Sequence, residues 1–152
     1  MIQDIKLLDF PEQPTLIMRA TIPVEKMPEF FGKAFGGVMN YLSILGKMPA
    51  GMPFGAYLNL DMKALEVEAG FPVSSKMEGE NEIIPSLIPA GKYLTTFFEG
   101  SYNDLKIAYD ALAEYAQQNG LEPTGISYEY YLNDPSGDPS IIPLTEIRFP
   151  IK

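Results

Sequence analysis

The second half of the sequence repeats the first half at a nearly constant distance. A shift of 74 residues places Gly46 on Gly120, and it places Tyr57–Asn59 on Tyr131–Asn133. A shift of 78 then relates the two segments that carry Glu-x-x-Phe-Pro, because the second half has a longer loop around Gly137. Such a repeat predicts that one structural module occurs twice. The fold must therefore be one that two copies of a small module can build together.

Each half has the pattern of a strand, a helix and two further strands, preceded by one short strand. Apolar residues recur at spacings of three and four and predict helices near residues 28–45 and 102–118. Gly46 stands where a helix commonly ends in a left-handed residue, and Ser101 is placed to cap the second helix. Apolar and β-branched runs predict strands at Gln3–Asp9, Thr15–Ile22, Phe54–Asn59, Leu65–Phe71, Ile83–Leu87, Gly91–Phe98, Tyr128–Asn133 and Leu144–Pro150.

A single amphipathic helix over three strands buries too little apolar surface to be stable alone. Two copies can share an antiparallel sheet, so we predict an α+β fold that is a tandem duplication of a strand-helix-strand-strand module. The two long helices are expected on one face of the sheet and a ligand groove on the other. The length predicts a single domain, residues 1–152, with pseudo-repeats at about 1–73 and 83–152 and a polar linker at 74–82.

The composition excludes several kinds of chemistry. The chain has no Cys and no His, which removes thiolate nucleophiles, Ser-His triads, Cys or His metal sites and a His ligand for haem. We therefore expect no metal and no cofactor. The net charge of −9 repels phosphate backbones, so direct binding to nucleic acid is not expected. No apolar stretch is long enough to cross a membrane and no signal peptide opens the chain, which predicts a cytoplasmic protein without a membrane partner.

Strand alternation predicts which side chains meet on the face of the sheet away from the helices. In the last strand of each half, apolar residues take every second position, which leaves Glu68 and Glu146 on the helix-free face. In the strand before it, the same reasoning places Tyr57 and Tyr131 on that face, with Asn133 beside them. Aromatic rings and a partly buried carboxylate suit a flat, apolar, cationic molecule. We therefore predict a ligand groove lined by these residues.

Other interpretations of these residues stay open. A sheet face can be polar simply because it is wet, with Glu146 paired to Arg19 or Arg148. Met52, in the Pro-Gly loop after the first helix, is a candidate for an adaptable rim of the groove, although most Met residues are expected to fill the core. The acidic loop at 134–138 lacks the length and the terminal Glu of a Ca²⁺ loop, so we interpret it as a turn.

Several short motifs in the second half occur together in a fixed order. Pro-Ala-Gly at 89–91 is followed by Gly-Ser-Tyr at 100–102, by Tyr-Leu-Asn-Asp-Pro at 131–135 and by a final strand from Glu146 to Pro150. In this combination the sequence resembles the GyrI-like small-molecule-binding family, over essentially the whole chain. The first half departs from the family pattern, because Ile-Pro-Val at 22–24 replaces the glycine that leads the helix.

The resemblance implies the fold predicted above and a groove for hydrophobic, often cationic compounds. The family supplies effector-binding domains of bacterial AraC-type and MerR-type multidrug regulators, and it also occurs as stand-alone proteins. No helix-turn-helix precedes the first strand, so a stand-alone member is expected. The acidic groove residue of the family falls on Glu146. The expected function is that of a sensor or sequestering protein for small hydrophobic molecules, with a protein partner or a homodimer as further expectations.

Two alternatives to simple binding follow from the same resemblance. Some members hydrolyse reactive electrophilic compounds, in which case Glu146 would act as general base and Tyr131 would orient the water, without a metal. The lack of Trp in this chain argues against that activity, because such hydrolases tend to carry Trp in the groove. The other alternative is a gyrase-inhibitor-like interaction with a protein, for which the acidic charge would suit a basic target.

Overall fold

The computed structural model describes residues 1–134 and 138–152. The predicted loop around Gly137, and Pro135 of the Tyr-Leu-Asn-Asp-Pro motif, therefore lie outside the described residues. None of the helices described is long and apolar enough to cross a bilayer. In chain order the elements are β1 (Lys6–Phe10), β2 (Gln13–Ile22), α1 (Met27–Ile44), β3 (Phe54–Tyr57), β4 (Leu65–Pro72), β5 (Ile84–Ile88), β6 (Gly91–Glu99), α2 (Leu105–Gln118), β7 (Ser127–Tyr131) and β8 (Leu144–Pro150).

The chain forms two compact units. The central unit consists of residues 11–90, and the terminal unit consists of residues 1–10 together with residues 91–152. Each unit has four antiparallel strands and one helix, with the strand order β3-β4-β2-β5 in the central unit and β7-β8-β6-β1 in the terminal unit. The α+β class predicted from the sequence is confirmed.

The strand registers of the two units follow the shifts found in the sequence. In the central unit Thr15 pairs with Pro72, and moving both positions by 78 gives Tyr93 and Pro150, which pair in the terminal unit. The edge strands obey the same relation but are exchanged, because β1 pairs with β6 while β5 pairs with β2. Each sequence repeat thus contributes its leading strand to the unit that contains the helix of the other repeat.

Both helices end in the same backbone arrangement. Gly46 and Gly120 have φ values of +68° and +66°, in the left-handed region that glycine adopts without a Cβ clash. The next amide reaches back to a carbonyl of the last turn, from Lys47 to Leu42 and from Leu121 to Ala116, each at 2.9 Å. Glycine thus ends α1 where the sequence predicts, and Ser101 caps the short 3-10 turn before α2 by accepting from the amide of Asn103.

Each helix buries an apolar face against the two inner strands of its own unit. α1 packs on β2 and β4, and α2 packs on β6 and β8. Burial of these side chains is the main stabilising contribution to each unit. The segment predicted as a linker, 74–82, lies within the central unit and is tied to α1 by a salt bridge of 2.8 Å between Lys33 and Glu82. The fully buried members of the two cores include Leu16, Ala34, Val38, Leu42, Val67 and Ala69 in the central unit and Leu94, Ala108, Leu112 and Ile147 in the terminal unit.

Candidate functional site

The acidic residues of the two inner strands β4 and β8 face away from the helices. In the terminal unit Ile147 and Phe149 pack in the core beneath α2, so Glu146 and Arg148 point to the opposite face. In the central unit Glu68 alternates in the same way with the core residues of β4. The strand alternation predicted from the sequence holds for both glutamates.

The two tyrosines predicted beside these glutamates lie on the other face of the sheet. Tyr57 pairs with Val67, and Tyr131 pairs with Thr145; directly paired residues in antiparallel strands share a face. Tyr57 consequently packs beneath α1, with its ring centroid 6.4 Å from that of Phe31. The prediction of which residues of β3 and β7 point to the helix-free face was wrong by one position. The side chains of these strands are buried on both faces, so apolar alternation cannot show which face a given residue occupies.

Tyr131 belongs instead to a buried hydrogen-bond network beneath α2. Its hydroxyl donates to Oε1 of Glu129 at 2.9 Å, and the hydroxyl of Tyr109 on α2 donates to Oε2 of the same carboxylate. The Tyr109 hydroxyl also lies 3.2 Å from Oγ of Ser127. Glu129 was not predicted from the sequence.

Tyr131 and Glu146 lie on opposite faces of the sheet. Tyr131 is therefore not placed to orient a water molecule at Glu146, as the hydrolase alternative requires.

Asn133 holds the hairpin loop between β7 and β8. Its Nδ2 donates to the carbonyl of Ile142 at 2.8 Å, and its Oδ1 accepts from the amide of Leu144 at 3.0 Å. Asn59 makes the corresponding pair of bonds in the central unit. Both side-chain groups of Asn133 are therefore engaged in shaping the loop.

The remaining candidates lie away from the glutamates. Met52 is 46% exposed in the loop between α1 and β3 and lines neither of the two cavities described below. Asp138 accepts from the amide and the hydroxyl of Ser140, and these bonds lower the pKa of its carboxyl. Residues 135–137 of the acidic loop fall outside the part of the chain described, and elsewhere no group of Asp and Glu side chains could hold a metal ion.

A cleft lies over the helix-free face of the terminal unit, on the paired strands β1 and β6 and beside Glu146 of β8. Its volume is about 630 Å³, within the range of roughly 300–1,000 Å³ that small-molecule sites occupy. The segment before β1 closes one end, since the amide of Gln3 donates to the carbonyl of Phe97 and Thr96 Oγ1 donates to the carbonyl of Gln3. This β1–β6 cleft is lined by Gln3, Asp4, Lys6, Leu8, Phe10, Thr95, Phe97 and Glu146.

Glu146 holds an arginine at the edge of the cleft. Its Oε2 lies 2.7 Å from Nε of Arg148 and 3.3 Å from Oγ1 of Thr95. The guanidinium carbon of Arg148 lies 3.8 Å from the ring centroid of Phe10 and 4.3 Å from that of Tyr130. A cation between two aromatic faces gains electrostatic attraction from both. The charge of Arg148 is therefore compensated by one carboxylate and two rings.

The aromatic part of this surface continues along the strands. Tyr93 makes edge contacts with Phe10 and with Tyr128, at centroid distances of 5.7 and 6.1 Å. Burial raises the pKa of Tyr130 to about 12; Arg148 opposes the shift, and Glu146 adds to it. The phenol of Tyr130 is consequently neutral at physiological pH, and it offers an uncharged ring face beside the ion pair.

The equivalent position in the central unit is built differently. Arg19 of β2 donates through Nε to Glu68 at 2.7 Å, and under the shift of 78 Arg19 stands where Phe97 stands in the terminal unit. Ile17 likewise replaces Thr95. One cavity of the central unit, about 540 Å³, is lined by Thr15, Lys76, Met77, Pro85, Ser86 and Leu87. Glu68 lines neither this cavity nor the β1–β6 cleft.

Sequence reasoning missed most neighbours of Glu146. Phe10 lines the same cleft and contacts Arg148 only because β1 pairs with β6, and the repeat pattern does not reveal which unit a leading strand joins. Tyr130 pairs directly with Glu146, whereas the alternation that places Tyr131 on the helix-free face puts Tyr130 in the core. The sequence does contain one signal, the Tyr-Glu-Tyr-Tyr run at 128–131. Both sets of alternate positions in this run contain tyrosine, so a tyrosine reaches the helix-free face whichever way the strand is oriented.

An α+β fold of two helix-covered units, with an apolar cleft and a charged pair on a helix-free face, defines a class of small-molecule-binding domains. The chain belongs to the GyrI-like family within that class. The family's sequence profile, described as a GyrI-like small molecule binding domain, matches residues 3–152. No curated protein sequence matches the chain.

Solved structures with the same fold include regulator domains and a ligand complex. The C-terminal domain of EcmrR is 22% identical over 98% of this chain and 97% of that one, with a TM-score of 0.78. In an EcmrR–DNA complex the identity is 24% over 99% of this chain, which spans 57% of the EcmrR chain, with a TM-score of 0.76. SAV2435 bound to tetraphenylphosphonium is 12% identical over 99% of this chain and 94% of that one, with a TM-score of 0.67. At these identities the likenesses establish the fold alone.

Proposed function

We propose that the β1–β6 cleft binds a small hydrophobic molecule, and that the protein acts as a sensor or sequestering protein for such compounds. The observation that carries the proposal is the cleft itself, about 630 Å³ in volume, in a chain of a small-molecule-binding family. Leu8, Phe10 and Phe97 supply apolar walls, and the polar or charged groups of the lining come from Gln3, Asp4, Lys6, Thr95 and Glu146. Apolar walls with a few convergent polar groups are typical of ligand sites.

The ligand we propose is a hydrophobic cation. Both hydrogen bonds to Glu146 end on Oε2, so Oε1 has no hydrogen-bond partner among the described residues, and it is not sealed from solvent. A carboxylate oxygen at the wall of an apolar cleft favours a positively charged guest. SAV2435, which has the same fold, has been solved with the lipophilic cation tetraphenylphosphonium, and this supports the choice of that compound as a probe.

Two neighbouring leucines provide a matched test of the cleft. Leu8 lines the cleft and Leu7 points to the other face of β1, and the two are 41% and 39% exposed. We expect Leu8→Thr to weaken tetraphenylphosphonium binding by about three- to tenfold, because apolar contact worth roughly 1 kcal/mol is lost. Leu7→Thr should bind like the wild type. Isothermal titration calorimetry measures all three dissociation constants.

Threonine keeps the β-propensity of an edge strand, so both variants should fold. Equal losses in the two variants would place the ligand elsewhere. The absence of measurable binding to the wild-type protein, for this cation and for uncharged aromatic compounds of similar size, would overturn the proposed function.

A further inference from the structure

Arg148 engages the same kinds of group that would recognise a cationic ligand. Its guanidinium lies between the rings of Phe10 and Tyr130 and is bound to Glu146. These are the groups that recognise a bound organic cation, namely aromatic faces and one carboxylate. Phe10 and Glu146 also line the β1–β6 cleft, whereas Arg148 does not. The side chain therefore lies beside the cavity and not inside it, while it uses the same recognition groups.

The pair is shielded enough for its charges to matter. The side chains of Arg148 and Glu146 are 18% and 12% exposed, unlike the surface pairs, whose members are at least half exposed. Charges with little solvent around them interact more strongly than those in water. An ion in the cleft would therefore meet the sum of the charges of Glu146 and Arg148, together with those of Asp4 and Lys6, which line the cleft and are also opposite in sign. That sum is close to zero, even though Glu146 alone would attract a cation.

We propose that Arg148 is a built-in counter-ion that sets the charge preference of the ligand site. With Arg148 in place, the preference for a cation that Glu146 gives the cleft is weakened, and shape and apolar contact contribute most of the selectivity. A cation gains the full attraction of Glu146 only when the bond between Arg148 and Glu146 loosens. This inference rests on the proposed function, because it assigns the specificity of the same cleft.

Two ions of equal shape and opposite charge separate shape from charge. Tetraphenylphosphonium and tetraphenylborate each carry four phenyl groups on one central atom. We expect Arg148→Gln to bind the cation about tenfold tighter and the anion about tenfold weaker than the wild type does, since one partly buried charge is removed. Glu146→Gln, which leaves Arg148 without its carboxylate, should shift both affinities in the opposite direction.

The central unit supplies the matched control. Arg19 and Glu68 form an ion pair on the corresponding strands, and neither residue lines the β1–β6 cleft, so Arg19→Gln removes the same charge from the chain and should leave both affinities unchanged. Arg148→Lys keeps the charge but loses the planar guanidinium stacked on the two rings, so it should change the ratio of the two affinities much less than Arg148→Gln does. Circular dichroism and thermal unfolding establish that each variant is folded.

The wild-type protein offers a measurement that needs no substitution. Arg19 and Arg148 are the only arginines in the chain, so a ¹⁵N-labelled sample has two Nε–H resonances, one from each unit. Saturating tetraphenylphosphonium should shift the Arg148 resonance, because its bond to Glu146 loosens, and it should leave the Arg19 resonance in place.

The outcomes distinguish this inference from the proposed function. Opposite changes in charge preference for Arg148→Gln and Glu146→Gln would support it. Binding that is sensitive to Leu8→Thr, but unchanged or weakened for the cation in Arg148→Gln, would overturn the inference and leave the proposed function standing. If Arg148→Gln does not fold, an Arg148 resonance that stays in place at saturation would overturn it equally. Failure of the wild type and every variant to bind either ion, or uncharged aromatic compounds of similar size, would overturn both.

Discussion

At the scale of single residues, Tyr130 lies beside two opposite charges, and burial still determines its ionisation. Burial raises the pKa of its hydroxyl to about 12, Arg148 opposes the shift, and Glu146 and Tyr93 add to it. Burial also raises the pKa of Tyr93, again against the effect of Arg148. The aromatic surface around Arg148 therefore stays uncharged until strongly alkaline pH, and the ion pair is its main source of charge.

The raised pKa of Tyr130 predicts a loss of stability at alkaline pH. The folded state holds this proton up to about pH 12, whereas the unfolded chain releases it near pH 10. The stability contribution is complete below pH 10 and is lost as the pH rises from 10 to 12, by about 2–3 kcal/mol in total. Tyr130→Phe should lower the slope of unfolding free energy against pH in this window. Urea unfolding from pH 8 to 11 measures it, and parallel curves for the two proteins would contradict the prediction.

Two glutamates show how far the sequence specifies a single side chain. Glu146 follows strict alternation with Ile147 and Phe149, so its facing could be predicted. Glu129 stands among tyrosines that suit either face, and its role depends on hydroxyl groups from Tyr109 and Tyr131. A buried carboxylate is tolerated only where such donors surround it. Their arrangement depends on how α2 packs, which the local sequence does not encode.

At the scale of elements, the glycines of α1 differ sharply in what they contribute. Gly46 has φ +68° and ends the helix, whereas Gly36 lies on the exposed side of α1, and a Cβ there would meet no atom within 4 Å. A side chain at Gly46 is strained by the left-handed backbone. At Gly36 the missing side chain only adds flexibility to the unfolded chain.

Substitutions at these two positions of one helix are predicted to change the stability of the protein in opposite directions. Gly36→Ala should stabilise the protein by about 0.5–1 kcal/mol, because alanine favours the helix. Gly46→Ala should destabilise it by about 1–2 kcal/mol, because the left-handed conformation is costly for alanine. Chemical denaturation followed by circular dichroism gives both values. A stabilising effect of Gly46→Ala would show that α1 can end without the left-handed residue.

The strands divide into those that the sequence specifies and those that it does not. β4 and β8 alternate between core and open face, so their parity could be read directly. β3 is buried at all four positions and β7 at four of five, and a strand that is buried on both faces can fit a sheet with either set of alternate side chains toward the helix. The register of these strands is fixed by their partner strands and not by their own sequence. For that reason the sequence-based prediction assigned Tyr57 and Tyr131 to the wrong face.

At the scale of the whole molecule, the repeat predicted two equal modules, and the strand registers agree with it. The exchange of β1 and β5 was not predictable, because equivalent strands present equivalent edges to either unit. That exchange brings Lys6, Leu8 and Phe10 to the β1–β6 cleft. Where Phe97 and Thr95 stand in the terminal unit, the central unit has Arg19 and Ile17, and Glu68 is in an ion pair with Arg19. Of the two equivalent glutamates, Glu146 is the one that lines the β1–β6 cleft.

The net charge of the molecule predicts its behaviour toward DNA. The chain carries 20 acidic and 11 basic residues, a net charge of −9, and binding to a phosphate backbone requires an excess of cations that releases counterions. We expect no mobility shift of duplex DNA by the 152-residue protein from about 50 to 150 mM salt, with the strongest repulsion at low salt. In the EcmrR–DNA complex this chain matches only 57% of the EcmrR chain, so the likeness does not assign DNA contacts to the shared part. A sequence-specific shift that weakens as salt is added would contradict the prediction, because it would require a basic surface that the charge balance opposes.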